Sequence, residues 1–161
     1  MLREAFAERL KAAMRAKDTR TLSTVRLVIA GLQERDVAAR GPTGQARGLT
    51  AHGNQAGIAD PEILRMLQGM VKQRRESIAL YQEGNRPELA QQEAEEIAVI
   101  ESFLPRQMSD DEIAAAAEAA IADTGAAGPK DMGRVMAVLR ERHAGVIDLA
   151  RAGAVVKQLL G

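Results

Sequence analysis

The chain of 161 residues contains no cysteine, which excludes disulfide bonds, thiolate metal sites and a cysteine nucleophile. Hydrophobic residues make up 46% of the chain, but 30 of them are alanine and aromatic residues reach only 2%, so the expected core is a modest one. The net charge is zero, yet residues 86–127 hold two basic and ten acidic side chains, while residues 128–161 hold six basic and three acidic. Such segregation either steers a polyanion to the basic end or lets neighbouring helices attract one another.

Abundant alanine and leucine, few β-branched residues and no alternation of apolar and polar residues predict an all-α protein. No apolar run is long enough to span a membrane and no signal peptide is evident, which predicts a cytoplasmic protein. His52 and His143 have no ligand partners at useful spacing, so no metal and no cofactor are expected.

Two helices are predicted in the first 40 residues. The first covers about residues 2–15, and Asp18 is expected to cap the second. Ser23 is expected to bond back to the preceding turn, because no base for a nucleophilic serine is in evidence. The apolar stripes of the two helices are Leu2, Phe6, Leu10 and Met14 in the first, and Leu22, Val25, Ile29 and Leu32 in the second.

Residues 40–59 contain five glycines and little else that could pack, which predicts a flexible loop. A loop of this length within a compact domain is either mobile or functional. The glycine patterns of P-loops and dinucleotide-binding turns are absent, so phosphate binding by this loop is not expected. His52 belongs to the loop and is expected to be solvated.

Residues 73–107 make up most of a predicted helical hairpin, around which the rest of the chain is arranged. The incoming helix begins near Pro61, and Gly84 is expected to end it in the left-handed conformation. Asn85 is then expected to cap the returning helix, which Pro105 ends.

The arms of this hairpin set Arg74 and Arg75 roughly opposite Glu95 and Glu96. The arginines either clamp a phosphate group or pair with the facing glutamates and fix the register of the hairpin. Pairing is the favoured interpretation, because runs of surface charge usually form paired, solvated faces.

Three short helices are predicted after the hairpin, packed as a small bundle that we call the tail. Ser109 and Glu112 form a capping box for the first helix, Gly125 ends it, and Asp148 caps the last. The chain is therefore predicted to form an N-terminal helical domain with the long hairpin, residues 1–106, followed by the tail domain, residues 107–161.

Gly133 lies early in the middle helix of the tail, where glycine costs about 1 kcal/mol relative to alanine. This cost predicts a close backbone approach at Gly133, either to a neighbouring helix or to a ligand.

Several motifs together resemble the YqeY family, also called the GatB/YqeY group. They are KDTRTLSTVR at residues 17–26, QRRESI at 73–78, Tyr81, RPELA at 86–90, FLPRQ at 103–107, KDMGRVM at 130–136, and Val156 with Lys157. The resemblance leaves out only residues 40–59. It implies a helical N-terminal domain followed by a three-helix tail like that of the GatB amidotransferase subunit.

In GatB, the tail helps to hold tRNA while a separate domain amidates glutamyl- or aspartyl-tRNA with nitrogen from glutamine. The present chain has no room for that catalytic domain, and no catalytic constellation is recognisable in its sequence. The carbon–nitrogen ligase activity associated with the family is therefore not expected here.

The resemblance to the GatB tail implies a non-catalytic RNA-binding module, with tRNA as the expected ligand. The candidate residues would neutralise phosphates and are Lys130, Arg134, Arg140, Arg142, Arg151 and Lys157. The tail has no aromatic residue for base stacking, so recognition would have to be of folded RNA shape. The alternative is a protein-interaction or scaffolding module that docks a partner protein or a second copy of the chain.

Overall fold

The computed structural model describes residues 1–40 and 57–161, and all regular structure in these ranges is helical, which confirms the all-α prediction. The predicted loop with His52 lies largely outside the described residues. The helices are α1 (Leu2–Ala16), α2 (Thr19–Arg40), α3 (Asp60–Glu83), α4 (Pro87–Glu101), α5 (Asp110–Thr124), α6 (Met132–Arg142) and α7 (Leu149–Leu160), with a 3-10 turn at Pro129–Asp131.

The chain divides into two compact units, unit 1 (Met1–Phe103) and unit 2 (Leu104–Gly161). Unit 1 contains α1 to α4, and unit 2 contains α5 to α7. Within the described ranges, every helix is too short or too polar to cross a bilayer.

The reversal between α1 and α2 depends on two adjacent residues. Lys17 takes the left-handed conformation with φ 55°, and its N–H donates to the end of α1. Asp18 accepts hydrogen bonds from the backbone N–H of Thr21 at 3.0 Å and from its hydroxyl at 2.6 Å, which confirms its predicted role at the start of α2. The hydroxyl of Ser23 donates to the carbonyl oxygen of Arg20 at 3.0 Å, as the sequence predicts.

The buried face of α1 and α2 differs in part from the predicted stripes. Phe6 is buried and its ring meets that of Phe103 edge-on, with centroids 4.8 Å apart. Met14 is 56% exposed, so its predicted place in the core is wrong, and Ala13 is buried instead. A small residue at this point lets the two helices approach closely near their short connection.

Helices α3 and α4 pack along each other as the hairpin. Its turn differs from the prediction, because Gly84 has φ −80° and the left-handed residue is Asn85, with φ 55°. The N–H of Gly84 still donates to the carbonyl oxygen of Leu80, as in a helix. The last turn of α3 is therefore complete at Gly84, and the chain reverses at Asn85. Asn85 is therefore not the cap of α4; Arg86 occupies that position.

A hydrogen-bonded clamp joins the ends of α1 and α2 to the residues before α3. Asp36 accepts hydrogen bonds from Nη1 and Nη2 of Arg3, at 2.7 and 2.8 Å, and from the backbone N–H of Ile58 at 2.9 Å. Arg3 also donates to the carbonyl oxygen of Ile58 at 2.9 Å. The Arg3 guanidinium holds the pKa of the Asp36 carboxyl below its ordinary value, so this carboxylate stays charged in mild acid.

Two glycines of unit 1 are expected to respond oppositely to replacement by alanine. A Cβ at Gly57 would lie 2.5 Å from Nη2 of Arg3 and 2.7 Å from Oδ1 of Asp36, so Gly57→Ala must displace the clamp and cost about 1–2 kcal/mol. A Cβ at Gly69, exposed within α3, would meet nothing within 4 Å, so Gly69→Ala should add about 0.5–1 kcal/mol. Chemical denaturation measures the free energy of unfolding of both variants, and an unchanged m value shows that only stability has changed. A Gly57→Ala protein as stable as the native chain would contradict this account of the clamp.

The three helices of unit 2 pack on one another around a core of small and medium-sized side chains. The capping box of Ser109 and Glu112 is present, and Asp148 accepts the N–H groups of Ala150 and Arg151, as predicted. Gly125 ends α5 with φ +66°. The buried core residues are Ile113, Ala117, Ala120, Val135, Leu139, Ile147, Ala152 and Val156.

The residues that lead into α5 are tied to the connection between α6 and α7. The N–H of Met108 donates to the carbonyl oxygen of Val146 at 2.9 Å. The side-chain amide of Gln107 donates to the carbonyl oxygens of Pro105 at 2.8 Å and Gly145 at 2.9 Å. These bonds fix the start of unit 2 onto its own fold.

Candidate functional site

The arginines of the hairpin are engaged in ion pairs within unit 1. Nε of Arg74 lies 3.0 Å from Glu96 and 4.0 Å from Glu93, and only 12% of the Arg74 side chain is exposed. Arg75 bonds to Glu101 at 3.0 Å. The predicted pairing of the hairpin arginines with facing glutamates is confirmed for Arg74 and Glu96, whereas Arg75 pairs with Glu101 instead of Glu95 or Glu96. That the Arg74 pair fixes the register of the hairpin stays a prediction.

A third arginine, Arg20 of α2, pairs with glutamates of α4. Nε of Arg20 lies 3.1 Å from Glu95, and its Nη1 lies 3.7 Å from Glu96. Burial raises the pKa of the Glu93 carboxyl, and the nearby charge of Glu96 raises it further. The sequence contains no local signal for Arg20, because it approaches α4 from 75 residues away.

Three of the six predicted phosphate-binding residues in unit 2 are paired with carboxylates. Arg134 contacts Asp131 at 2.6 Å, and Arg142 contacts Asp123 at 2.6 Å. Arg151 lies 3.5 Å from Asp110 and 3.7 Å from Asp148. Each of these arginines therefore already has a negative partner.

The other three candidates, Lys130, Arg140 and Lys157, are exposed. None of them makes an ion pair with another residue in the two ranges that the structure describes. Lys130 lies in the 3-10 turn before α6, Arg140 in the last turn of α6 and Lys157 in the last turn of α7. These three side chains are available to bind an anion without first giving up a carboxylate.

Gly133 lies on the exposed side of α6, while Val135 and Leu139 face the core. A Cβ at Gly133 would meet no described atom within 4 Å. The interpretation that this glycine lets a neighbouring helix approach is therefore wrong. Close approach of a ligand at Gly133 stays a prediction.

Helix α5 gives unit 2 an acidic side, since it carries five carboxylates and no basic residue. Its Glu112 accepts two hydrogen bonds from Arg106 and one from the N–H of Ser109. The hydrogen bonds from Arg106 contribute most, and together with that from Ser109 they lower the pKa of the Glu112 carboxyl to about 2. This carboxylate therefore remains charged at every physiological pH.

Among the described residues, no group of three or more His, Asp or Glu side chains is arranged to hold a metal ion. His143 ends α6, where its backbone N–H donates to the carbonyl oxygen of Leu139 at 3.0 Å. The arrangement of unit 2 is thus a set of surface charges, and what such a set can do chemically is bind an anion or a charged partner.

The sequence model of a family described as Yqey-like protein matches residues 3–160, which is nearly the whole chain. The match takes in both units and all seven α-helices of the described residues apart from the first residue of α1. A comparison with curated proteins found no match.

Proposed function

Because the chain belongs to the YqeY family, we propose that unit 2 is a non-catalytic module that binds folded RNA, with tRNA as the expected ligand. The observation that carries the proposal is a set of three exposed cations that make no ion pair with any residue of 1–40 or 57–161, namely Lys130, Arg140 and Lys157. The resemblance of the tail to that of the GatB subunit supports the choice of tRNA.

The chemistry of these side chains favours contacts to the phosphate backbone. An ammonium or guanidinium group that neutralises a phosphate releases counterions, so the affinity falls as the salt concentration rises. Unit 2 contains no Phe, Tyr or Trp, so it offers no platform on which unstacked bases could rest. The ligand is therefore RNA in a folded, largely paired form, recognised by the positions of its phosphates.

Binding of the purified protein to a tRNA pool, measured by fluorescence anisotropy at about 50 and 200 mM salt, tests this function. Native protein should bind with micromolar or tighter affinity that weakens with salt. The Lys130→Glu/Arg140→Glu/Lys157→Glu variant should lose binding, because each change places a negative charge where a phosphate would lie.

The matched control reverses three exposed cations of unit 1, as Arg26→Glu/Arg65→Glu/Lys72→Glu. It changes the net charge by the same amount and should retain tRNA binding. No binding of native protein at low salt would refute the proposal, and so would an equal loss in both triple variants.

A protein partner is the second candidate, because unit 1 exposes several large apolar side chains. Leu27 is 51% exposed, Val37 65% and Leu80 67%. Isolated exposed apolar side chains are common on folded proteins, but a partner protein that covered these three would remove apolar surface from water. If this candidate is correct, Leu27→Ser and Val37→Ser would weaken capture of the partner, while tRNA binding would be unaffected.

A further inference from the structure

Two ion pairs place carboxylates of α5 against cations of the other helices in unit 2. Nη1 of Arg142 in α6 lies 2.6 Å from Oδ2 of Asp123, and Nη1 of Arg151 in α7 lies 3.5 Å from Oδ1 of Asp110. Within the described structure α5 has no basic residue to which these aspartates could pair along their own helix. The aspartates therefore occupy the guanidinium groups that a phosphate would use.

We propose that α5 is an intramolecular competitor of RNA, in which Asp123 and Asp110 hold Arg142 and Arg151 until phosphates displace them. This inference rests on the proposed function and concerns the regulation of the same surface. It predicts that native affinity is set below the value that the six cations could reach, because part of the basic surface is neutralised by the protein itself.

The ion pair of Arg142 and Asp123 is exposed enough for a phosphate to replace the aspartate. The Arg142 side chain is 48% exposed and that of Asp123 is 55% exposed, so the pair lies in water and holds together only weakly. A guanidinium group can bind phosphate in the same bidentate manner as a carboxylate, so one partner can replace the other. While Asp123 is bound, however, Arg142 releases no counterion upon RNA binding and adds nothing to the affinity.

Glu118 provides a control for the general charge of α5. It lies on the same helix, is exposed, and makes no ion pair with a described residue. Removing its charge changes the net charge of the chain by the same amount as removing that of Asp123. Only the loss of Asp123 frees a particular arginine.

The experiment compares tRNA binding by the full-length native protein, Asp123→Asn and Glu118→Gln over a series of salt concentrations. Asp123→Asn should bind about two- to fivefold more tightly, and its affinity should depend more steeply on salt, by about one released counterion. Glu118→Gln should change the affinity less and leave the salt dependence as it is. Circular dichroism should show the same helix content in all three proteins.

Arg142→Gln then identifies the residue through which Asp123 acts. In the native background it should change the affinity little, because any contact of Arg142 with phosphate is offset by the loss of its ion pair with Asp123. In the Asp123→Asn background it should remove the whole gain in affinity and return the salt dependence to the native value.

Two results would overturn the inference while leaving the proposed function intact. One is native binding of tRNA that Asp123→Asn does not tighten beyond Glu118→Gln, and the other is an equal effect of Arg142→Gln in both backgrounds. If neither native protein nor any variant binds tRNA at low salt, the proposed function itself fails, and the inference fails with it.

Discussion

Replacing Leu139 with alanine is expected to lower the free energy of unfolding of unit 2 by about 3 kcal/mol. Leu139 is fully buried in α6, among the core residues that α5, α6 and α7 contribute. The same core contains the small residues Ala117, Ala120 and Ala152, whose side chains cannot extend to fill the space that the leucine would leave. A cavity would therefore remain. Unit 2 has 58 residues, so this loss is a large part of a stability of roughly 3–9 kcal/mol.

Leu159→Ala is the matched control for this experiment. Leu159 lies in α7 and is 46% exposed, so the same chemical change should cost less than about 1 kcal/mol. The measurement is the denaturant concentration at the midpoint of unfolding of unit 2. The unfolding is followed by NMR through the methyl resonances of its core residues. Equal midpoints for the two variants would contradict the packing of α6 described here.

Replacing Arg74 with methionine is expected to destabilise unit 1 by about 2 kcal/mol. Methionine fills much of the same volume, so the main loss is that of the guanidinium charge between Glu96 and Glu93. The Glu96 side chain is only 13% exposed, and removing Arg74 leaves its charge near that of Glu93, balanced only in part by the Arg20 guanidinium 3.7 Å away. Removing one partner of a fully buried pair costs about 3–5 kcal/mol, and the residual exposure here reduces that value.

Arg75→Met is the control, because Arg75 is the next residue of α3 and is 45% exposed beside Glu101. Its replacement should cost no more than about 1 kcal/mol. Thermal unfolding at neutral pH compares the two variants, and Arg74→Lys should regain part of the loss because it restores a cation. If Arg74→Met is no less stable than Arg75→Met, the ion pairs of Arg74 do not stabilise the hairpin.

The helices could be predicted from the sequence because their signals are local. The apolar spacing of α3, the box of Ser109 and Glu112, and the cap at Asp148 each act within one or two turns of the chain. The turn at Gly84 and Asn85 could not be assigned correctly, because both residue types tolerate positive φ. Which of the two takes it depends on how far α3 continues, and the hairpin contacts decide that.

The cations of unit 2 could also be recognised from the sequence, but their availability could not. Arg142 meets Asp123 across 19 residues, and Arg151 meets Asp110 across the bundle. Such pairs depend on how three helices pack, and the sequence contains no periodic signal for them. Gly133 could not be interpreted from the sequence either, because a glycine early in a helix indicates a close neighbour only if the packing supplies one, and the structure leaves this position open.

The bonds of Gln107 and Met108 to Gly145 and Val146 determine how much of the chain would have to be transplanted to carry unit 2 into another protein. A graft that began at α5 itself would leave both carbonyl oxygens without their donors and would free the connection between α6 and α7. The transferable piece therefore begins before its first helix. The few non-helical residues before α5 are therefore part of the module, as its core residues are.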